Sequence, residues 1–296
     1  MDKPLTHTTD FFEDGSLESG KMMGRSLVNR LLTALCIVLS FAAMIPLGSI
    51  LYLVVKNGLP LLSPSVFTSL PPAAGMTGGG FGNAVVGTCI MVGLGLAMSV
   101  LPAVLAAIFI CEYSPNGRLA GAVRFVAKLL TGIPSIICGV FAFAAVVTVT
   151  GEFSALAGGV ALAVLMLPTI LLTSEQALLG VQKAYREASY GLGATRFQTI
   201  FRVVLPDALP AILTGVMLAV ARAAGETAPL IFTALFSQFW MSSLMEPTAS
   251  LSVLIYNFST MPFEYQVKMA WTASLVLVCL VTAVNVTAQL VFAKKH

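Results

Sequence analysis

The chain has 296 residues, of which 57% are hydrophobic and only 10% are charged, and its formal net charge is +3. Soluble globular proteins carry about 25% charged residues, so this composition indicates an integral membrane protein. It argues against a secreted disulfide scaffold, a disordered chain and a nucleic-acid-binding protein, because these classes are richer in cysteine or in charge.

Six long apolar runs follow one another along the chain. A membrane-spanning helix needs about 20 mostly apolar residues. Five of the runs carry no charge, and the remaining one contains Arg222 and Glu226. The pattern predicts an all-α protein with a polar, disordered arm at residues 1–30 and a six-span domain at residues 31–293. The predicted spans are residues 31–55, 84–110, 129–150, 153–174, 208–236 and 269–293.

The basic residues indicate the orientation of the spans. Thirteen of the 16 lysines and arginines fall on one side of the predicted membrane, Lys56 and Lys268 fall on the other, and Arg222 lies within a span. Basic residues favour the cytoplasmic side, so both termini are predicted to be cytoplasmic. Residues 175–207 then form a cytoplasmic loop, and the loops 56–83 and 237–268 face outward.

The five cysteines lie in or beside apolar runs and form no C-x-x-C pair. We interpret them as small core hydrophobes. Both histidines, His7 and His296, lie near the ends of the chain, which argues against a histidine-based active site. We therefore predict no metal site, no cofactor and no enzymatic activity in this chain.

The cytoplasmic loop contains a second helical pattern. From Glu187 to Pro206 it reads EASYGLGATRFQTIFRVVLP, and two glycines interrupt the helical pattern after its first residues. Thr195 and Gln198 match a capping box, T-x-x-Q, which starts a short amphipathic helix. Pro206 is expected to end that helix before the next span begins. The apolar side of the helix needs a surface to pack against, either a protein partner or the lipid headgroups.

This loop resembles the inner-membrane permeases of binding-protein-dependent ABC importers, whose pattern is E-A-A, three residues, Gly, nine residues, Ile or Val, one residue, Leu-Pro. Ser189 stands in place of the second alanine. The resemblance implies a six-span type I (MetI-like) permease whose loop 187–206 is a coupling helix that docks on a cytoplasmic ATPase. The matching coupling residues are Glu187, Ala188, Gly193, Val203, Leu205 and Pro206.

Three further strings, TGIPSIICGVFAF, LPTILLTSEQAL and ARAAGETAPL, resemble the phosphate permeases of this family. This closer resemblance implies a bacterial inner-membrane subunit of an ATP-driven phosphate importer. The implied partners are a PstC-like second permease, a PstB-like ATPase dimer that binds ATP and Mg, and a PstS-like phosphate-binding protein. Phosphate and membrane lipid are the remaining expected partners, and no nucleic acid is expected.

Arg222 and Glu226 are the candidate substrate-path residues. Arg222 lies roughly 21 Å into its predicted span at 1.5 Å per residue, near mid-membrane. A charge there costs about 2.5–3.5 kcal/mol on insertion scales, which favours a function. Glu226 is four residues further on, on the same predicted helix face, and Thr227 adds a hydroxyl group. The alternative is an ion pair that only locks helices together.

The same strings contain candidate hinges, for which a static kink is the alternative interpretation. These are Pro134, Gly225 and Pro229. No G-x-x-x-x-G-K-[ST] sequence occurs, so the energy for transport has to come from a partner. The alternatives for function are an ABC permease for sulfate or molybdate, a secondary transporter that works alone and, least favoured, a membrane-embedded enzyme.

Overall fold

The computed structural model describes residues 19–293, and within this range the chain forms helices without strands. It divides into two units, residues 1–53 and residues 54–296. Helix α1 (Ser19–Gly58) begins in the first unit and continues into the second, and its side chains from 26 to 53 are exposed. Residues 1–18 of the predicted disordered arm lie outside the described range. Residues 19–30 are helical, so that part of the prediction is wrong.

The second unit contains the remaining helices. They are α2 (Ser65–Thr68), α3 (Gly82–Tyr113), α4 (Arg118–Gly132), α5 (Ser135–Thr150), α6 (Ala155–Gly180), α7 (Lys183–Gly191), α8 (Arg196–Ala224), α9 (Ala228–Ile231), α10 (Leu251–Ser259) and α11 (Glu264–Ala293). Five of the described helices, α1, α3, α6, α8 and α11, are long and apolar enough to cross a membrane. The remaining predicted span, residues 129–150, falls on α4 and α5, which are bent by 107° at the break between them.

The break between α4 and α5 corrects the predicted span 129–150. Residues 129–132 belong to α4, and Ile133 adopts an extended backbone (φ −75°, ψ 136°) directly before Pro134. A proline disfavours the helical conformation of the residue before it, which explains why the helix stops here. The predicted span is therefore not one continuous helix, and its second part, α5, starts at Ser135.

The predicted span 208–236 is wrong at both ends. Helix α8 starts at Arg196 and runs past Pro206 because a wider π-helical turn, Ile200–Val204, precedes the proline. There the Leu205 N–H donates to the Ile200 carbonyl, so the chain stays helical as it reaches Pro206. The predicted helix end at Pro206 is therefore wrong, and the loop 175–207 shrinks to α7 and its two flanking turns. At its other end α8 stops at Ala224.

The predicted outer loop 237–268 contains a helix that the sequence did not predict. Helix α10 has a buried N-terminal half, and the Ser250 hydroxyl caps it by accepting the Val253 N–H. The Leu251 N–H donates to the Thr88 hydroxyl of α3 over 2.8 Å. This helix packs with α11 in a cluster of buried residues that includes Phe81, Phe258 and Met269.

The main core lies between α3, α6 and α8. Met91 of α3, Leu162 and Ile170 of α6, and Ile212 and Val216 of α8 are buried together in one apolar cluster. In this arrangement α6 is the central helix, and its long buried face holds the other two in place.

Helices α5 and α9 approach each other at one glycine. A Cβ atom on Gly139 would lie 2.6 Å from the Cα atom of Pro229, closer than real Cβ contacts come. Because the obstructing atoms belong to the backbone of Pro229, a larger residue at position 139 has to push α5 and α9 apart.

We therefore expect Gly139→Ala to lower the stability of the extracted protein by about 1–3 kcal/mol, the usual cost of overpacking. Thermal unfolding in detergent measures this change. Gly121→Ala on the exposed face of α4 is the matched control, since a Cβ there meets nothing within 4 Å. Equal unfolding temperatures for the two variants would contradict the close approach.

Candidate functional site

The charged pair lies at the end of α8. Arg222 occupies the last turn of the helix, and Glu226 follows just beyond its end. The Arg222 Nε and Glu226 Oε1 atoms are 3.7 Å apart. The prediction that Arg222 and Glu226 share one helix face is wrong in its detail, because the helix ends at Ala224, before Glu226. The pair still forms, since the Glu226 N–H donates to the Ala223 carbonyl in a final tight turn.

Three other elements surround Glu226. Its carbonyl accepts a hydrogen bond from the Ser252 hydroxyl of α10 over 2.8 Å. Thr227 begins the short helix α9, in which Pro229 is buried against Gly139. The loop after α8 is thus held by α5 on one side and by α10 on the other.

Arg222 belongs to an exposed stripe along α8. Ala211, Thr214, Leu218 and Arg222 recur at helical spacing and are all exposed, whereas the opposite face of α8 is buried in the core. The Arg222 side chain is 48% exposed, against 17% for Glu226. Arg222 is therefore not buried within this chain, although it lies in a membrane-crossing helix. Its guanidinium faces away from the chain's own core.

The hinge candidates all lie at breaks in the helices. Pro134 separates α4 from α5, Gly225 ends α8, and Pro229 lies in α9. The chain thus has one helix break before α5 and another after α8. The segments that follow these two breaks come into contact where Gly139 lies against Pro229. Whether these residues move remains a prediction.

The loop 187–206, called the docking loop below, has the turn that the sequence predicted. Gly193 has a φ of +82°, a left-handed conformation that suits glycine, and it reverses the chain between α7 and α8. The predicted capping box at Thr195 is also present. The Thr195 hydroxyl accepts the Gln198 N–H, and the Gln198 side chain accepts the Thr195 N–H over 2.9 Å.

An apolar cleft of about 320 Å³ opens between α7 and the start of α8. Ala188 and Val203 of the family pattern line it, beside Leu192, which is 90% exposed. Glu187 and Pro206 are exposed nearby. Exposed apolar surface next to a cleft is typical of a protein-binding site, so this geometry favours a docking partner. The remaining residues of the wall are Tyr185, Ser189 and Ala194.

Arg186 joins helix α7, called the docking helix below, to the rest of the chain. Its Nε and Nη2 atoms donate to Glu112 Oε1 over 3.2 and 2.8 Å. Its Nη1 and Nη2 atoms also donate to the carbonyls of Val181 and Leu178. Glu112 ends α3 and is buried, so this pair joins α7 to the end of a span. The sequence analysis missed the pair.

Two more arginines complete this network. Arg196, at the start of α8, donates to the Glu112 carbonyl, and its guanidinium lies 5.1 Å from the centre of the Tyr113 ring. Arg124 of α4 binds the buried carboxylate of Glu175 in α6. Glu175 directly follows the predicted uncharged run 153–174, and Glu112 lies two residues past the end of the run 84–110. These positions at the ends of apolar runs were the signal that could have identified both glutamates.

Comparisons with known proteins agree with this geometry. A family model described as "Binding-protein-dependent transport system inner membrane component" matches residues 99–294, which hold the docking loop and the charged pair. The chain belongs to this family. It is therefore a transport permease subunit and a multi-pass protein of the inner membrane, and the resemblance inferred from the loop is confirmed.

Two relatives are similar along nearly the whole chain. The phosphate transport system permease protein PstA of Yersinia pestis is 35% identical over 291 residues, which cover 97% of this chain and 99% of that protein. The Haemophilus influenzae protein of the same name is 36% identical over 271 residues, which cover 92% of this chain and 96% of that protein. The predicted closer resemblance to the phosphate permeases is thereby confirmed.

A solved structure confirms the fold of the permease. The chain is similar to the MetNI methionine ABC transporter in inward-facing conformations, with a TM-score of 0.58 and 20% sequence identity. The likeness covers 71% of this chain and 94% of that one. The predicted MetI-like, all-helical architecture is therefore correct.

Proposed function

We propose that this permease is a transmembrane subunit of an ATP-driven importer of inorganic phosphate and that Arg222 and Glu226 line the path of the ion. One observation carries the proposal. Arg222 lies in a membrane-crossing helix, yet it is half exposed on the side that faces away from the core. A charge costs about 2.5–3.5 kcal/mol in lipid, so this stripe faces water or a partner.

The chemistry of the pair suits a phosphate ion. The planar guanidinium of arginine presents several N–H donors in a fork that matches phosphate oxygens. Glu226 balances that charge while the path is empty, and the 3.7 Å separation leaves the guanidinium available for an incoming anion. Thr227 supplies a hydroxyl group beside it. The PstA relatives, which carry phosphate transport in their names, support this choice of substrate.

A second permease is needed to close the path. An exposed stripe that carries an arginine forms only one wall, and a PstC-like chain opposite α8 would supply the other. Glu187, Ala188, Gly193, Val203, Leu205 and Pro206 would dock on a PstB-like ATPase dimer, which binds ATP and Mg. A PstS-like binding protein would deliver phosphate at the outer loops 56–83 and 237–268. In this arrangement both termini are cytoplasmic, as the distribution of basic residues favours.

The alternatives differ in testable ways. A permease for sulfate or molybdate would import those anions, and both would compete with phosphate in uptake. A secondary transporter that works alone would need no ATPase and no exposed docking cleft. The cleft beside Ala188 and the family to which the chain belongs therefore favour an importer with an ATPase partner.

We expect Arg222→Gln to abolish uptake of radiolabelled phosphate in cells that lack the native chain, because the donor fork is lost. Arg222→Lys keeps the charge without the fork and should retain part of the activity. An excess of unlabelled sulfate or molybdate should not compete with phosphate. Since Arg222 is half exposed, its loss should cost no more than about 1 kcal/mol of stability, so the variant should assemble.

Two controls accompany this experiment. Arg118→Gln removes an exposed arginine at the start of α4 and should leave uptake unchanged. The double variant Arg222→Gln with Glu226→Gln removes both charges and should assemble without importing phosphate. Normal uptake by the double variant would show that the pair is structural and that the site assignment is wrong.

We also expect Glu187→Lys to leave membrane insertion intact while it reduces both phosphate uptake and co-purification of the ATPase. The reason is that Glu187 is exposed beside the apolar cleft, where reversing a charge disturbs a docked partner. Glu152→Lys, in the loop before α6, is the matched control and should change neither. A normal complex and normal uptake in Glu187→Lys would mean that this loop does not couple the chain to an ATPase.

A further inference from the structure

Helix α7, which carries the proposed docking residues Glu187 and Ala188, is joined to the end of α3 through the buried carboxylate of Glu112. Arg186, next to Glu187 of the docking surface, makes four hydrogen bonds, two of them to Glu112 Oε1. The side chains of Arg186 and Glu112 are 18% and 9% exposed, so water competes little for these bonds. Charge-assisted bonds of a guanidinium to a carboxylate are short and directional. The ion pair therefore ties α7 to the end of α3, and the bonds to the carbonyls of Leu178 and Val181 tie it to the end of α6 and the residue that follows.

Glu112 also holds the start of α8. Its carbonyl accepts a hydrogen bond from Arg196, while Arg196 stacks on the neighbouring Tyr113 ring. The two helices that flank the docking cleft are thus fastened to one residue, α7 through the carboxylate and α8 through the backbone. A displacement of either helix would therefore be transmitted to the last turn of α3, which contains Glu112.

Helix α3 connects this turn to the charged pair. Between Glu112 and Thr88 it is continuous, and at 1.5 Å per residue these residues are roughly 36 Å apart. Thr88 accepts the Leu251 N–H of α10, and the next residue, Ser252, binds the carbonyl of Glu226. A shift of α3 is thus passed to the loop that holds the candidate path residues.

We propose that Glu112 is a positioning residue that transmits the movement of the docking helix to the substrate path, acting through Arg186 at one end of α3 and through Thr88 and α10 at the other. The inference rests on the proposed function, since it assumes that an ATPase moves α7. It gives a role to a buried acidic residue that lies outside both the docking surface and the path.

The test compares transport with ATP use in the same vesicles. The complete complex is reconstituted, and phosphate uptake and ATP hydrolysis are measured together, so that the ratio of ions imported to ATP hydrolysed is obtained. Glu112→Gln keeps the size of the side chain and its accepting oxygen but removes the charge. We expect assembly and ATP hydrolysis to persist while the ratio falls about tenfold, within the usual range of coupling between sites.

Two further variants sharpen the result. Arg186→Lys keeps the charge but loses the fork, so its ratio should lie between those of Glu112→Gln and the native complex. Glu152→Gln makes the same substitution in the exposed turn before α6 and should leave the ratio unchanged.

The outcomes separate the inference from the function. A native ratio in Glu112→Gln would overturn the inference. A variant complex that fails to assemble, or that loses uptake and hydrolysis in equal measure, would also overturn it, because the pair would then be purely structural. If the native complex hydrolyses ATP without importing phosphate, the proposed function fails and the inference falls with it.

Discussion

Charge is scarce in this chain, so each charged side chain near the apolar spans needs an opposite charge, hydrogen-bonding carbonyls or water. Arg186 and Arg124 satisfy this constraint within the chain, through the buried carboxylates of Glu112 and Glu175 and through backbone carbonyls. Arg222 does not satisfy it in the same way, because it has one carboxylate at 3.7 Å and an exposed side chain. This contrast separates the arginines that hold the helices together from Arg222, which we propose is available to an ion.

The helix breaks follow from the same constraint. Irregular backbone is tolerated at membrane depth only beside protein or a water-filled cavity. The chain interrupts α8 at Gly225 and bends before Ser135, and it brings the two interrupted segments together where Gly139 meets Pro229. The Ser252 hydroxyl then binds the carbonyl of Glu226. The breaks thus place the carboxylate beside Arg222, while the Glu226 carbonyl keeps a hydrogen-bond partner.

Hydropathy was sufficient to predict an all-α membrane protein, and the two glycines of the loop 187–206 indicated the turn at Gly193. The number of spans stays a prediction, because the described residues give five such helices, or six if α4 and α5 form one broken span. Hydropathy could not place the helix ends. The π-helical turn before Pro206 depends on hydrogen bonding that composition does not encode. Helix α10 has only nine residues, too few to cross a membrane, so a search for membrane-spanning runs does not detect it. The pairing of Arg186 with Glu112 was also beyond reach, because 74 residues separate the two along the chain.

Water access along the exposed stripe of α8 is the most direct test of this account. In a chain whose five cysteines are replaced by alanine, Thr214→Cys and Leu218→Cys lie on the stripe and Ile212→Cys lies in the core. The assembled transporter is treated with a charged, water-soluble thiol reagent. We predict that the two stripe positions react and that added phosphate slows the reaction at Leu218→Cys, whereas Ile212→Cys stays unreactive. If Thr214→Cys and Leu218→Cys reacted as little with the reagent as Ile212→Cys, this result would contradict the claim that Arg222 faces the path of the ion.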